Sequence, residues 1–322
     1  MSCMWGFLGR RLLQLVPVWV ATALVVWAAM FALPGDPAQL LAGEQRADPD
    51  VVRAIRAEWG LDRPALAQLG AFLARLARLD LGRSYVQRRA VSEVLRDHFP
   101  PTLFLAVAAM ALSILAGVTG GAAAALWRGR WPDRLVRLGA AGGLAAPGFW
   151  VAILLVLLFA SRLRWLPGLG YGDSGVSVLG ASLPGLAHLI LPAAALGVAG
   201  GAMLARLVRS SLLDALGQEY VRAALARGAG PARTLALHAL RNALLPALTW
   251  SGLHFAALLG GAVATEVVFS WPGLGRAMWT ALAQRDLPVV EGGVLLLAGL
   301  FVLVNLFVDL SYVLLDPRLR AS

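Results

Sequence analysis

The sequence contains no lysine, and all 28 of its basic residues are arginine. A nucleotide-hydrolysing P-loop requires a lysine after its glycines, and Schiff-base catalysis requires a lysine amine, so the composition excludes both kinds of site. Cysteine is almost as scarce, because Cys3 is the only one. An internal disulfide and a metal site built from several cysteines are therefore excluded as well.

Residue patterns typical of enzymes are also missing. The sequence has neither His-Glu-x-x-His nor Gly-x-Ser-x-Gly. Its histidines lie in separate segments and lack metal-binding spacing: His98, His188, His238 and His254. Only His254 lies well inside an apolar run, where a lone histidine more often packs or hydrogen-bonds than relays protons. We expect no catalytic residue, no cofactor and no metal ion.

Charge is sparse along the chain, and hydrophobicity is high. Charged residues make up 14% of the sequence, hydrophobic residues make up 59%, and the mean hydropathy is +0.73. These values are typical of a membrane protein. The net charge of +10 would suit either nucleic acid or anionic lipid. Because the arginines are dispersed between long apolar runs, we expect contact with a lipid bilayer and none with nucleic acid.

Six apolar runs are long enough to cross a hydrocarbon layer of about 30 Å, which takes about 20 helical residues. Their approximate bounds are Leu12–Leu33, Thr102–Trp127, Leu138–Ala160, Leu189–Val208, Leu244–Val268 and Val289–Leu315. Prolines inside them, such as Pro17, Pro147 and Pro192, are tolerated in lipid because neighbouring helices satisfy the freed backbone groups. A cleaved signal peptide is the alternative for the first run, but that run is long and no clear cleavage site follows it. We therefore predict an all-α integral membrane protein.

The loop charges predict the orientation of the chain. The loop between runs two and three carries four arginines and one aspartate. That between runs four and five carries two acidic residues and, with Arg206 at the end of run four, six arginines. Positive loops favour the cytoplasm, so both termini are predicted to be cytoplasmic. The segment 34–101 then lies outside. Its apolar residues recur at helical spacing, which favours a small helical insertion over a flexible linker.

The cytoplasmic loop 209–243 contains the arginine-bearing stretch Glu219–Asn242. One predicted helix places four residues on adjacent turns, and its alanines leave it slim enough to enter a groove: Tyr220, Ala223, Ala224 and Arg227. Gly228 and Gly230 allow the backbone to turn, and Pro231 suits the first turn of a second helix. We interpret the stretch as a rigid two-helix elbow. The alternative is an amphipathic loop lying on anionic headgroups.

Three classes of membrane protein fit these features. An ion-driven secondary transporter needs an ionisable or coordinating site at mid-membrane, and the spans are nearly free of charge. An integral membrane enzyme needs a converging catalytic set, which the sequence lacks. The third class is the pathway subunit of a transporter powered by another protein. Such a subunit needs a cytoplasmic docking surface for the protein that powers it, and the two-helix elbow could provide that surface.

The order Arg222-Ala223-Ala224-x-x-x-Gly228, followed by Leu245-Pro246, resembles the EAA loop of bacterial ABC-importer permeases. The stretch from Glu219 to Thr249 is more narrowly similar to the dipeptide/oligopeptide/nickel permease family, in its first-permease, dipeptide-permease-B-like type. Arg222 replaces the glutamate of the general pattern, as is usual in the peptide branch. Further segments match this type in the family's order: LPGDPA (33–38), DLGRSY (80–85), FPPTLFLA (99–106), FSWPGLGRAM (269–278), RDLPVVEG (285–292) and NLFVDLSYVLLDPRLR (305–320).

The resemblance implies the type I ABC-importer permease fold, with six transmembrane helices and a helical extracytoplasmic insertion between helices 1 and 2. Residues 1–33 would form the cytoplasmic N-terminus and helix 1, and residues 34–101 the insertion. Residues 102–315 would form the transmembrane core of helices 2–6, including the EAA coupling loop 209–243. Residues 316–322 would form a cytoplasmic tail. The expected location is the bacterial plasma (inner) membrane.

The resemblance also implies a passive, non-catalytic subunit of an ATP-driven importer. It would pair with a second homologous permease, as a heterodimer, and with two ABC ATPase subunits that hydrolyse the ATP. An external solute-binding protein would deliver the substrate. Di- and oligopeptides are the expected cargo, while glutathione, nickel chelates and some oligosaccharides stay open because relatives carry them.

The resemblance assigns the coupling role to one set of residues: Glu219, Tyr220, Arg222, Ala223, Ala224, Arg227, Gly228, Pro231, His238, Asn242 and Pro246. Within that set, the two alanines and Gly228 are expected to allow close docking of the ATPase. Tyr220 and Arg227 would belong to the docking surface. Pro246 would set the exit of the elbow into the fifth span.

Overall fold

A computed structural model describes residues 17–28, 38, 48–58, 62–172, 174–178, 181–228, 230 and 239–315. Within these ranges the chain is helical apart from one short hairpin. It divides into two compact units, the first comprising Met1–Phe99 and Ala277–Val302 and the second comprising Pro100–Arg276 and Leu303–Ser322.

The helices are numbered here in chain order. The first four are α1 (Pro17–Ala28), α2 (Pro49–Glu58), α3 (Ala65–Ala77) and α4 (Val91–Leu126). The bent pair follows as α5 (Trp131–Ala145) and α6 (Gly148–Leu155), and α6 continues as a π-helix over Val156–Arg162. The remainder are α7 (Leu186–Leu216), α8 (Glu219–Ala226), α9 (Arg241–Gly261), α10 (Val263–Val268), α11 (Leu274–Ala283) and α12 (Leu287–Leu315). Strands β1 (Ser177–Val178) and β2 (Ala181–Ser182) pair antiparallel, with Ser177 opposite Ser182.

In the first unit, α2 and α3 occupy the segment whose spacing predicted helices. Leu76 of α3 is buried in a cluster with Ala23 of α1 and Leu295 of α12. Trp19 and Phe72 pack against the same cluster. The apolar stripe of α3 therefore contributes to a hydrophobic core, as expected of an amphipathic helix.

Helix α4 begins well before the apolar run that predicted the second span, and Pro100 and Pro101 lie inside it. Its first turns carry Glu93, Arg96 and Asp97, which are too polar for hydrocarbon. The helix and the predicted span therefore have different N-terminal bounds.

The third predicted span corresponds to two helices that meet at a sharp bend. α5 ends at Ala145, and the pair formed by α5 and α6 is bent by 110°. Pro147 precedes α6 with an extended backbone (φ −61°, ψ 134°). Proline has no N–H to continue the helical ladder, and its ring disfavours a helical residue before it. Pro192, in contrast, lies inside a continuous α7, as expected.

Three of the described helices are long and apolar enough to cross a membrane: α4, α7 and the Leu287–Phe307 part of α12. A fourth is added if the bent α5–α6 pair counts as one span. The fifth predicted span is divided at Ala262 into α9 and α10. The sixth corresponds to a continuous α12. The chain is thus an all-helical membrane protein in the part that the structure describes.

Helix α7 is central to the second unit, where it packs against α5, α6 and α9. α4 also approaches α7 closely, because a Cβ on Gly121 would lie 2.6 Å from the carbonyl oxygen of Ala205. Only glycine allows two helix backbones to come this near. Beyond that crossing, α7 extends towards Leu216 and carries α8 at its end.

Candidate functional site

Among the described side chains of helix α8, Val221 attaches the helix to the second unit. Val221 is 2% exposed and packs in a cluster with Ala125 of α4, Leu212 and Ala215 of α7, and two alanines that precede or begin α9, Ala239 and Ala243. Only Gly217 and Gln218 separate α7 from α8. The amide of Gly217 donates to the carbonyl oxygens of Leu213 and Asp214, which closes the last turn of α7. α8 therefore begins at a fixed position.

Gly228 is exposed, and so are the other described side chains of α8 and its C-terminal turn: Glu219, Tyr220, Arg222, Ala223, Ala226 and Arg227. The Arg227 Nε donates to the carbonyl oxygen of Ala223 at 3.2 Å, so this guanidinium lies back along the helix. Of the two alanines in the predicted slim face, the side chain of Ala223 is exposed and that of Ala224 lies outside the described residues.

Gly228 ends the α8 turn with a left-handed backbone, φ +85°. No heavy atom of the described residues lies within 4 Å of the position that a Cβ would take. The left-handed backbone by itself favours glycine here.

Seven predicted coupling residues lie on α8 or its C-terminal turn: Glu219, Tyr220, Arg222, Ala223, Ala224, Arg227 and Gly228. Asn242 and Pro246 lie on α9, and Pro246 is exposed inside that helix, after its first turn. Pro231 and His238 fall outside the described residues, as does most of the second helix of the predicted elbow. The site described by the structure is therefore α8 with the start of α9.

Sequence reasoning missed an ion pair at the base of α8. Asp133, at the start of α5, is 1% exposed. Arg209 of α7 donates to both of its carboxylate oxygens, from Nε at 2.7 Å and from NH2 at 3.0 Å. The amide of Gly129 adds a bond of 2.9 Å, and Arg137 lies 3.4 Å away. The sequence shows these residues only as loop charges, so no local signal could have paired them.

A buried group of hydrogen bonds around Glu266, which the sequence did not predict, joins two of the motifs that carry the resemblance. Glu266 of α10 is fully buried, and its carboxylate accepts the Thr102 hydroxyl at 2.6 Å and the Arg276 amide at 2.8 Å. The Thr102 hydroxyl oxygen also accepts the Leu274 amide at 2.7 Å. The indole N–H of Trp271 donates to the carbonyl oxygen of Pro101 at 2.9 Å. FPPTLFLA and FSWPGLGRAM are thus neighbours in space.

The DLGRSY and RDLPVVEG motifs meet in the first unit in the same way. Asp286 is 1% exposed and accepts hydrogen bonds from the Ser84 hydroxyl and from the amide of Tyr85, the latter at 2.9 Å. Burial raises the pKa of the Tyr85 phenol to about 12, and the nearby Glu291 and Asp286 carboxylates contribute while Arg75 opposes the shift. Acidic groups and low solvation both disfavour the phenolate.

A cleft of about 220 Å³ lies in the second unit, where both helix breaks meet α7. Its lining is apolar or small and carries no charged side chain: Gly143, Ala146, Gly148, Phe149, Val151, Ala195, Leu196, Val198, Ala199, Gly261, Ala264 and Thr265. The described residues contain no cluster of His, Cys, Asp or Glu suited to a metal ion.

Comparison with known proteins identifies the family. The family model described as "Binding-protein-dependent transport system inner membrane component" matches residues 117–321, and the model of its N-terminal region matches residues 4–106. The chain belongs to this family of transport permeases. It is therefore a permease component of a binding-protein-dependent transport system, and such systems combine the permease with a solute-binding protein and an ATPase.

Relatives support the narrower resemblance to the dipeptide and oligopeptide branch. A candidate peptide transport system permease protein of Brucella abortus (strain 2308) is 43% identical over 311 residues, which cover 97% of this chain and 98% of the relative. A glutathione transport system permease protein of Salmonella paratyphi A is 40% identical over 317 residues, covering 98% and 99%. A protein of the same name from Escherichia coli O6:H1 is 38% identical over the same length.

Proposed function

We propose that this chain is one of two pathway-forming permeases in an ATP-driven importer of di- or oligopeptides. It would pair with a second, homologous permease and bind two ABC ATPase subunits. An external binding protein would deliver the substrate. The chain would span the bacterial plasma (inner) membrane six times, with both termini in the cytoplasm, residues 34–101 outside and the coupling loop 209–243 inside.

The observation that carries this proposal is the way α8 is held. Val221 anchors the helix in the cluster with α4, α7 and α9, while Ala223 and the turn at Gly228 are exposed. A short helix with a buried anchor and an exposed, small side chain on another face suits insertion into a cleft of a partner protein. The glycine turn, without a side chain of its own, would let the ATPase approach closely.

The mechanism follows from the connections of α8. When the two ATPases bind ATP and close, they would displace the α8 helices with them. α8 is joined to α7 through Gly217 and Gln218 and contacts the start of α9 through Ala243. Packed helices move as rigid bodies with discrete arrangements, so the displacement would be passed to the spans and would alternate the access of the pathway. This chain supplies no residue for ATP hydrolysis.

The uncharged cleft is our candidate for a wall of the pathway. Breaks in membrane helices are tolerated where the freed backbone groups meet water or protein, and both breaks line this cleft. Without a charged side chain, the wall would bind peptides weakly and would not select by side chain. The choice among peptides, glutathione and related cargo would then lie mainly in the binding protein.

Replacement of Gly228 by phenylalanine tests the proposal. The change costs about 1–2 kcal/mol in backbone energy because the residue is left-handed, and it places a bulky side chain beside α8. We expect the complex to assemble but ATP-driven uptake to fall by about tenfold or more, which corresponds to a docking penalty of about 1.4 kcal/mol.

Gly170 provides the matched control. It has a φ of +91° and an equally open Cβ position, and it lies on the predicted outer side. The Gly170→Phe variant should transport at nearly the wild-type rate. Unchanged uptake by Gly228→Phe would contradict the proposal. Uptake that survives ATP depletion but stops when the proton gradient is collapsed would instead indicate an ion-driven carrier.

A further inference from the structure

The buried ion pair between Asp133 and Arg209 joins the last turns of α7, which lead into α8, to the start of α5. Arg209 is located within the last two to three turns of α7, just before the junction with α8. Asp133 is in the first turn of α5 and is reached through the tight turn after α4. The pair therefore connects the end of α7 to the hairpin formed by α4 and α5.

The geometry of this pair makes the connection stiff. A bidentate arginine–carboxylate pair fixes both distance and orientation, and each bond is charge-assisted. The Gly129 amide holds the same carboxylate from the α4–α5 turn at 2.9 Å. Near this point the α4 backbone touches α7, since a Cβ on Gly121 would lie 3.1 Å from the Arg209 amide nitrogen. Three elements are thus joined around one buried carboxylate.

We propose that Asp133 and Arg209 are positioning residues that make α5 follow the displacement of α8. This inference rests on the proposed function. α8 would move the ends of α4 and α7 and the start of α9 directly, through the Val221 cluster. It would move α5 through the ion pair. Loss of the pair would leave α8 able to dock but would let α5 lag behind, so ATP would be hydrolysed with less transport.

The test uses the assembled importer in nanodiscs or proteoliposomes, with Cys3→Ser as background. Spin labels at Gln218→Cys, which immediately precedes α8, and at Leu135→Cys on α5 occupy exposed positions outside the coupling residues. With the pair intact, the distance distribution between the labels should stay the same when ATP and vanadate trap the closed state. In Asp133→Asn it should shift or broaden on trapping, and substrate transported per ATP should fall by about fivefold or more.

The exposed pair between Arg89 and Asp97 provides a control, because it has the same chemistry without burial. Asp97→Asn should leave the transport-to-ATP ratio and the label distances unchanged. If the importer does not assemble with Asp133→Asn, the same measurements are made on Arg209→Lys. Lysine keeps the positive charge but cannot form the two parallel hydrogen bonds to the carboxylate. A wild-type ratio in whichever of these two variants assembles, with unchanged label distances, would overturn the inference.

The coupling role of α8 and the positioning role of the ion pair can be contradicted separately. If Gly228→Phe transports normally, the coupling role of α8 is wrong, whatever the labels report. If Gly228→Phe uncouples transport but the loss of the ion pair does not, only the positioning role is wrong. Loss of stability alone would lower the yield of the complex without changing the amount of substrate moved per ATP.

Discussion

Replacement of Thr102 by valine should destabilise the second unit more than any neighbouring threonine change. The Thr102 hydroxyl donates to Glu266 at 2.6 Å and accepts from the Leu274 amide at 2.7 Å. Both Thr102 and Glu266 are almost fully buried, at 1% and 0% exposure. Valine keeps the shape of threonine but can neither donate nor accept.

The magnitude follows from the buried Leu274 amide, which loses its acceptor. Leaving a buried donor unsatisfied costs about 1–3 kcal/mol. At about 2–4 °C per kcal/mol for a unit of this size, the melting midpoint should fall by about 2 °C or more.

Thr119 provides the matched control on the same helix. Its hydroxyl donates to carbonyl oxygens of its own helix, that of Leu115 at 2.6 Å and that of Ala116 at 3.5 Å, and its side chain is exposed. Thr119→Val should therefore change the stability by no more than about 0.5 kcal/mol. Thr102→Ser, which retains the hydroxyl, should lie much nearer the wild type than Thr102→Val.

The assay is thermal unfolding of the purified protein in one detergent at one scan rate, because membrane-protein unfolding is often irreversible and the midpoint then depends on the rate. Equal midpoints for Thr102→Val and Thr119→Val would refute the reasoning. Such a result would mean that the buried hydroxyl is not what holds the Glu266 carboxylate.

Two further predictions concern the cleft and the first unit. In the Cys3→Ser background, Ala199→Cys should react with a membrane-impermeant thiol reagent while the fully buried Ala152→Cys should not, and an inert Ala199→Cys would remove the cleft from the pathway. The folded protein holds the Tyr85 proton to about pH 12, whereas the unfolded chain releases it near its ordinary pKa of 10.0. The Tyr85 phenol should therefore not change the free energy of unfolding below pH 10, and that free energy should decline as the pH rises towards 12. In Tyr85→Phe this part of the decline should be absent, when the unfolding of both proteins is followed by ultraviolet absorbance.

Much of the helical organisation could be predicted because its signals are local. The spacing of apolar residues indicated α3, and the slim, exposed face of α8 agrees with the Ala223 pattern. The left-handed turn at Gly228 was expected from the lack of a Cβ. The bend at Pro147 was missed because proline breaks a helix in one membrane context and not in another. Pro192 lies in an unbroken α7, so the residue alone does not decide the outcome.

By itself, the sequence indicated a helical membrane protein and excluded a P-loop, and its motifs indicated the family. These properties depend on composition, periodicity and short patterns. Only the tertiary structure decided which polar groups meet. Arg209 and Asp133 are 76 positions apart, and Thr102 and Glu266 are 164 apart. Such contacts depend on how whole helices cross, because burial of a polar group is tolerated only where packing brings its partner within hydrogen-bond distance.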